Sequence, residues 1–196
     1  MDKKELLARL QKQNLSKDIL ESIKEIKREN FIPEEYKKHA YEDIALPLEG
    51  GATISQPSTI AFMLSLLELK KRHKVLEIGS GSGYVLALIE NITRSETYGV
   101  EIIKSLAEKS QVILRNNNNI KVINKSGSGG LPEYAPYDRI LMSASAKDIP
   151  KQLAKQLNND GIIVASVRNS IFRLKKEKNT IKTEEYPGFV FVPLVE

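Results

Sequence analysis

The chain has 196 residues, of which 30 are Lys or Arg and 25 are Asp or Glu, and its formal net charge is +5. It contains no cysteine and only two histidines, which excludes disulfides, thiolate metal sites, a cysteine nucleophile and a histidine-rich metal centre. The basic residues are scattered and no apolar run approaches about 18 residues, so the sequence predicts neither a nucleic-acid partner nor a membrane span.

The N-terminal part of the chain is predicted to be helical. Apolar residues at helical spacing indicate amphipathic helices over residues 3–12 and 17–28, with no apolar signal core before them, so we expect a cytoplasmic protein. Pro33 suits the first position of a third, short helix. Residues 41–52 hold proline and glycine and predict a loop, and another helix follows Pro57.

From residue 74 onward, short apolar strands alternate with helices. The predicted strands lie at 75–78, 98–100, 120–123, 139–142 and 162–164, and the predicted helices at 84–91, 103–115 and 150–157, the last closed by a turn at 158–161. This alternation is typical of a doubly wound α/β fold with a parallel sheet. Segments 170–175 and 180–186 flank a charged turn, and 189–195 is apolar and β-branched, which predicts an antiparallel addition at one sheet edge.

A glycine-rich loop follows the first of these strands. It reads Gly79-Ser80-Gly81-Ser82-Gly83 and is preceded by an acid, Glu77. Glycines let a backbone turn sharply and approach a ligand, and open α/β sheets bind ligands at the carboxyl ends of their strands. The spacing is G-x-G-x-G rather than the dinucleotide pattern G-x-G-x-x-G. An acid beside the loop suits a cationic sulfonium and an amino group better than a pyrophosphate.

A second acid, Glu101, ends the next strand, 18 residues past Gly83. A carboxylate there can accept hydrogen bonds from both hydroxyl groups of a ribose. The pattern therefore favours S-adenosylmethionine as the cofactor. A dinucleotide, or a glycine turn that binds no ligand, are the alternatives.

Further motifs, in order along the chain, resemble those of the protein-L-isoaspartate O-methyltransferase family. They are R-E-N-F-I-P-E-E at 28–35, A-Y-E-D-I-A-L-P-L at 40–48, T-I-S-Q-P at 53–57, L-P-E-Y-A-P-Y-D at 131–138 and F-V-P-L at 191–194. Many methyltransferases share the glycine loop, whereas the T-I-S-Q-P and A-Y-E-D motifs are specific to this family.

The resemblance implies a seven-stranded, mostly parallel, Rossmann-like sheet of the class I methyltransferases with an N-terminal helical cap. We expect a single domain over 1–196 and a monomer: a cap over 1–52, a cofactor-binding core over 53–169 and antiparallel strands over 170–196. The implied activity is S-adenosylmethionine-dependent methyl esterification of the free carboxylate of L-isoaspartyl residues. Its partners would be damaged proteins and peptides, with no metal, nucleic acid or membrane involved.

The resemblance also implies a substrate loop. Ser55 is its catalytic residue, whose hydroxyl would donate to the isoaspartyl carboxylate, and Thr53, Ile54, Gln56 and Pro57 form the rest. A carboxylate of pKa near ~4 is ionised at neutral pH, so the enzyme needs no strong base and must mainly align the reactants and exclude water. Local sequence gives Ser55 a second possible role, as the cap of the helix that follows Pro57.

The cofactor site is predicted to contain Glu77, Gly79, Ser80, Gly81, Ser82, Gly83, Glu101, Ser126 and Gly127. Ser126 stands where the family has an aspartate that helps to hold the adenine amino group, and Ala52 and residues 166–168 also depart from the family pattern. We therefore predict weaker cofactor binding than is usual in the family. Calorimetry with S-adenosylhomocysteine tests this, and micromolar or tighter binding would contradict it.

Two alternative functions stay open on the sequence alone. One is a methyltransferase of nucleic acid or of another small substrate, although residues 142–146 read M-S-A-S-A where base-amino methyltransferases usually carry a [D/N/S]-P-P-[Y/F/W] motif. The other is a binding module that keeps the fold without catalysis. Cofactor binding without methyl transfer would identify the second.

Overall fold

The structure is a computed structural model that describes residues 1–149, 151–178 and 180–194. Its N-terminal helices are α1 (Lys3–Leu10), α2 (Lys17–Glu25) and α3 (Pro57–Leu67). A two-stranded hairpin of β1 (Leu46–Pro47) and β2 (Thr53–Ile54) precedes α3. Short 3-10 turns lie at Gln11–Gln13, Arg28–Phe31, Glu34–His39 and Glu49–Gly51. Both predicted N-terminal helices are present. The second ends early, because Ile26 already has an extended backbone.

Two N-terminal predictions need correction. Pro33 is the residue before a 3-10 helix rather than the first residue of an α-helix, and its ψ of 151° is extended. The segment predicted as a loop contains strand β1, whose Leu46 pairs with Ile54 of β2. This small hairpin places residues 48–52 in a tight turn between two paired strands.

The rest of the chain forms a seven-stranded sheet and its helices. The elements are β3 (Val75–Ile78), α4 (Tyr84–Thr93), β4 (Thr97–Glu101), α5 (Lys104–Leu114), β5 (Ile120–Asn124), β6 (Tyr137–Ala146), α6 (Lys151–Lys155), β7 (Leu157–Val167), β8 (Ser170–Glu177) and β9 (Thr180–Pro187). Their order in the sheet is β5-β4-β3-β6-β7-β8-β9. The first five strands in this order pair in parallel, and β8 and β9 are added through antiparallel pairings, which confirms the predicted doubly wound, mostly parallel fold.

Alternate residues of the central strands pack on opposite faces of the sheet. Val75 of β3 joins a core with the N-terminal helices, α3 and α4, whereas Leu76 and Ile78 join a second core that includes Leu153 of α6. Strand β7 alternates in the same way. Every residue of β3 and β4 is buried, which is why these central strands are short runs with few charges, whereas the edge strand β5 is only partly buried.

The C-terminal third departs from the sequence prediction in three places. Helix α6 ends at Lys155, whereas the predicted helix extended to Leu157, which is the first residue of β7. The predicted turn at 158–161 lies within strand β7, where an irregularity in the pairing with β6 absorbs the extra residues and Asp160 has a φ of +60°. Segment 189–194 is no extended strand: it makes a single bridge, from Pro193 to Ser145 of β6. Pro150, predicted to begin a helix, and Val195, predicted at the end of the last apolar segment, lie outside the described residues.

Candidate active site

A cleft of about 230 Å³ opens at the carboxyl edge of the parallel strands. Its walls come from the ends of β3, β4 and β6, the glycine loop, the turn and strand at 48–55 and the C-terminal segment at 192–194. Ligands of open α/β sheets bind at this edge, beside the point where strand order reverses between β3 and β6.

The glycine loop approaches the cleft closely because its glycines adopt positive φ. A Cβ on Gly79 (φ +74°) would lie 2.9 Å from the Cβ of Ala144 on β6, so only glycine fits there. Gly79 and Gly81 line the cleft together with Ser80 and Ser82. Gly83 caps helix α4 (φ +85°) and packs against α5 instead of lining the cleft.

Glu101 is held rigidly at the end of β4. Its Oε2 accepts a hydrogen bond from the amide of Gly81 (2.7 Å), and its Oε1 accepts one from the amide of Ile103 (2.8 Å). Each carboxylate oxygen keeps a further lone pair, so both can accept a hydroxyl of a ligand in the cleft.

Glu77 lies deeper and is nearly fully buried, with 1% of its surface exposed. Its Oε1 accepts a hydrogen bond from the Ser143 hydroxyl (2.7 Å), while Oε2 has no protein partner among the described residues. Burial raises the pKa of Glu77 to about 8; the Ser143 hydrogen bond opposes this shift and the negative charge of Glu101 adds to it. An unpaired buried carboxyl oxygen favours a cationic ligand group.

The charge of the cleft distinguishes between cofactor classes. Of the described residues that line it, Glu77 and Glu101 are the only ones of the types Asp, Glu, Lys, Arg and His, so the cleft contains acids and no base. Such a site repels the phosphates of a dinucleotide and attracts a sulfonium or an ammonium group. Ser80 also lines the cleft, and its hydroxyl is buried without a hydrogen-bond partner among the described residues. The residues present therefore fit that cofactor.

Only part of the predicted substrate loop lines the cleft. Thr53, Ile54 and Ser55 line the cleft, whereas Gln56 and Pro57 form the N-cap and first residue of α3 and do not. The helix therefore begins one residue later than a Ser55 cap would require, and the structure gives no cap hydrogen bond from Ser55. Ser55 therefore lines the cleft and does not also cap the helix.

Ser126 and Gly127 are both predicted to bind the cofactor, but only Gly127 lines the cleft. Gly127 lines the cleft, and a Cβ there would lie 2.4 Å from Cγ2 of Ile78. Ser126 does not line it, and its hydroxyl lies 3.1 Å from the hydroxyl of Ser128 in the same loop. The prediction of weaker cofactor binding is unaffected, since Ser126 supplies no carboxylate to the cleft.

Several lining residues were not predicted from the sequence. Ser143 and Ala144 lie at the carboxyl end of β6, where the general rule for α/β sheets places ligand contacts. Residues 192–194 belong to the F-V-P-L motif, which indicated a family but was interpreted only as a strand. Residues 48–52 had been predicted as an ordinary loop.

Two structural findings bear on metal and membrane partners. Among the described residues, no group of three or more His, Asp or Glu side chains is placed to hold a metal ion. Of the helices in the described ranges, none is both long enough and apolar enough to cross a membrane.

Comparisons with known proteins agree on one family. The model of the family described as protein-L-isoaspartate(D-aspartate) O-methyltransferase matches residues 1–196. Protein-L-isoaspartate O-methyltransferase 2 of Archaeoglobus fulgidus is 39% identical over 203 residues, covering 98% of this chain and 93% of the relative. The protein-L-isoaspartate O-methyltransferase of Dictyoglomus thermophilum is 40% identical over 185 residues, covering 91% and 84%.

Solved structures show the same relationship. A protein-L-isoaspartate O-methyltransferase structure superposes with a TM-score of 0.92 at 26% identity, over all of this chain and 66% of its own chain. A Plasmodium falciparum structure, described as a beta-aspartate methyltransferase in complex with S-adenosyl-L-homocysteine, gives a TM-score of 0.87 at 23% identity. It covers 100% of this chain and 99% of its own, and at that identity it supports the fold alone.

Proposed function

The chain belongs to the protein-L-isoaspartate(D-aspartate) O-methyltransferase family and is an S-adenosylmethionine-dependent methyltransferase of L-isoaspartyl carboxylates, and we propose that the transfer takes place in the cleft beside Ser55. The observation that carries this proposal is the cleft itself. It joins two acidic side chains, a glycine loop and the loop that contains Ser55 in one space.

Different residues of the site would contact different parts of the cofactor. The free oxygen of Glu77 would face the cationic part of the cofactor, and Glu101 would accept its ribose hydroxyls from the position that the Gly81 and Ile103 amides fix. The backbone at Gly79, which lines the cleft, would lie against the ligand. Gly127 would line the other side of the site, where it packs against Ile78 so closely that a Cβ would not fit.

When bound, S-adenosylmethionine supplies an electrophilic methyl group on a positively charged sulfur. The substrate carboxylate is already ionised at neutral pH, so the protein does not have to remove a proton from it. The Ser55 hydroxyl would donate a hydrogen bond to one carboxylate oxygen and so orient the other toward the methyl group. Ile54, Ile60 and Met63 line the same cleft and would exclude water.

Neutralisation of a cation and an anion is favoured where water is absent, because both reactants lose charge in the transfer. We further propose that the substrate peptide lies extended beside Thr53 and Ser55 and is recognised mainly through its backbone.

The chain would act as one domain and as a monomer. Sedimentation velocity tests the monomer: a single species near 22.0 kDa is expected.

The activity is tested by offering labelled S-adenosylmethionine with matched isoaspartyl and aspartyl peptides. Only the isoaspartyl peptide should be methylated. Ser55→Ala should then lower kcat at least about tenfold, the loss expected for a hydrogen-bond donor to the reacting group, with the affinity for S-adenosylhomocysteine unchanged. Methylation of both peptides would contradict the proposed substrate.

Ser65→Ala is the matched control for the Ser55 variant. Ser65 lies on α3, and its hydroxyl donates to the carbonyl of Phe62 within the same helix, away from the cleft. This variant should keep kcat within about twofold of the wild type. Equal losses in the two serine variants would show that the effect of Ser55→Ala is not specific to the cleft.

A further inference from the structure

A fully buried arginine contacts the backbone of the proposed catalytic residue. Arg28 has no exposed surface, and its Nη1 donates to the carbonyl oxygen of Ser55 (2.8 Å) while its Nη2 donates to that of Ile44 (3.4 Å). Its guanidinium carbon lies 5.6 Å from the ring centroid of Tyr84, the first residue of α4 after the glycine loop. The Arg28 side chain thus contacts both the loop that contains Ser55 and the start of helix α4, which follows the glycine loop.

An aspartate holds the same loop from its other end. The Oδ1 of Asp43 accepts a hydrogen bond from the amide of Ser58 (2.8 Å) in the first turn of α3, and its Oδ2 lies 3.8 Å from Nη2 of Arg9. Gln56, the N-cap residue of α3, makes no such bond with its side chain. Asp43 therefore satisfies, from a distant part of the chain, a helix-end amide that local sequence leaves unpaired.

The burial of Arg28 is expensive for the fold. A guanidinium removed from water is stabilised only if its donors are paired, and the Nε of Arg28 has no partner among the described residues. Apolar side chains fill such positions at lower energetic cost, so stability alone does not explain an arginine here. Its hydrogen bond to the carbonyl of Ser55 instead holds the backbone at that residue, and its hydrogen bond to the carbonyl of Ile44 joins this position to the preceding segment.

We propose that Arg28 and Asp43 are positioning residues, which hold the backbone at Ser55 and Ser58 so that the Ser55 hydroxyl lies at a constant distance from the glycine loop. This inference rests on the proposed role of Ser55. Neither residue lines the cleft, so both act through the loop that they hold.

Arg28→Lys tests the arginine, with Arg139→Lys as the matched control. Arg139 is also buried, and it donates through Nε to the carbonyl of Leu67 (2.5 Å) and through Nη2 to that of Glu68 (3.3 Å), at the opposite end of α3. Arg28→Lys should lower kcat for an isoaspartyl peptide about tenfold or more, because small misplacements of a reacting group cost that much. The dissociation constant of S-adenosylhomocysteine should stay within about twofold in both variants, and Arg139→Lys should keep kcat within about twofold.

Asp43→Asn and Asp43→Ala test the aspartate without touching a buried guanidinium. The amide oxygen of asparagine can still accept from Ser58, so Asp43→Asn should keep most of the wild-type kcat, whereas Asp43→Ala should lower it about fivefold or more. Ser16→Ala, which removes the hydrogen bond from the Ile19 amide at the start of α2, is the control for the loss of a helix cap. It should leave kcat unchanged.

Hydrogen–deuterium exchange measures the position of the loop independently of turnover. Amides of residues 53–60 should exchange faster in Arg28→Lys and Asp43→Ala, and those near Leu67 should do so in Arg139→Lys. Unchanged exchange at 53–60, or faster exchange with unchanged kcat, would overturn the proposed positioning role. Failure of the proposed function is distinct from both, because it would be seen in the wild type as absence of methyl transfer to the isoaspartyl peptide.

Discussion

At the scale of single residues, Glu77 links the chemistry of the cleft to pH. Its pKa of about 8 in the folded protein lies above the ordinary value of 4.5, chiefly because burial disfavours the charged form. Between these values the folded protein holds a proton that the unfolded chain has released. A cation bound beside the free oxygen of Glu77 favours the ionised form, so binding should expel this proton.

This proton gives a prediction for Glu77→Gln. Because the native state binds more protons than the unfolded state from about pH 4.5 to 8, the free energy of unfolding of the wild type should fall as pH rises through that window. The glutamine variant lacks this dependence, so it should gain stability relative to the wild type toward pH 8. Urea denaturation of both proteins at pH 5, 6.5 and 8 measures the difference.

Calorimetry supplies an independent measurement of the same proton. S-adenosylhomocysteine, which retains the amino group, should bind the wild type more tightly as pH rises toward about 8 and release a proton on binding. Titrations in buffers of different ionisation enthalpy count that proton. Parallel stability profiles for wild type and Glu77→Gln, together with no proton release, would show that Glu77 is ionised before the ligand binds.

At the scale of elements, one arginine ties the antiparallel strands to helix α3. Arg173 of β8 donates through Nε to the carbonyl of Leu66 (3.0 Å) and through Nη2 to Oε1 of Glu68 (2.5 Å), and its Nη1 lies 3.4 Å from Oε1 of Glu184 on β9. The Arg173 side chain is largely buried, whereas the carboxylates of Glu68 and Glu184 are partly exposed. These hydrogen bonds join the β8–β9 hairpin to a helix that lies 107 and 105 residues earlier in the chain at the two contacts.

Arg173→Met should lower the free energy of unfolding by about 1–3 kcal/mol, since it removes a hydrogen bond to the carbonyl of Leu66 and a charge-assisted one to Glu68. Arg168→Met is the control. The Arg168 side chain is 74% exposed beside Asp148, and its loss should change stability by less than about 0.5 kcal/mol. Denaturant unfolding compares the two, and equal effects would show that the buried contacts of Arg173 contribute little.

Strand β7 shows how context overrides local turn chemistry. The sequence N-N-D-G at 158–161 is a strong turn signal, and it predicted a turn. In the structure these residues belong to a strand that pairs with β6 on one side and β8 on the other, and the turn tendency survives as a local irregularity with positive φ at Asp160. The regular pairs lie on either side of this irregularity, at Leu157 with Tyr137 and at Ile162 with Arg139 and Lys175, and they keep the segment within the strand.

At the scale of the whole molecule, the C-terminal segment returns across the sheet to the cleft. Phe189 stacks on Phe62 of α3 with ring centroids 5.4 Å apart. The carbonyl of Val192 accepts from the amide of Ser145 (2.8 Å), and the amide of Leu194 donates to the carbonyl of Ser145 (2.7 Å). The last described residues thus close one wall of a site whose other walls begin at residue 48.

Truncation after Phe191 should therefore lower kcat for an isoaspartyl peptide at least about tenfold, because water gains access to the cleft. The stacked pair of phenylalanines is retained, so the midpoint of thermal unfolding should change little. Truncation after Leu194 is the matched control, since it keeps every described contact of the segment, and its kcat should equal that of the wild type. Equal turnover in both truncated proteins would contradict a role for residues 192–194.

The sequence by itself determined the elements and the chemistry of the glycine loop. Alternating apolar strands and helices predicted the parallel sheet, and glycines flanked by Glu77 and Glu101 at fixed spacing predicted a cationic cofactor. Both signals are local, because the pitch of a helix, the pleat of a strand and the φ of a glycine each depend on a few neighbouring residues.

Only the tertiary structure decided which distant groups complete the site. Ser143 meets Glu77 across 66 residues of sequence, Arg28 meets the carbonyl of Ser55 across 27, and residues 192–194 reach a cleft that begins at 48. Local sequence also allows Ser55 to cap helix α3, but in the structure the amide of Ser58 donates to Asp43, which lies in an earlier segment of the chain. Such contacts depend on how the elements pack together, and no periodicity or spacing in the chain encodes that packing directly.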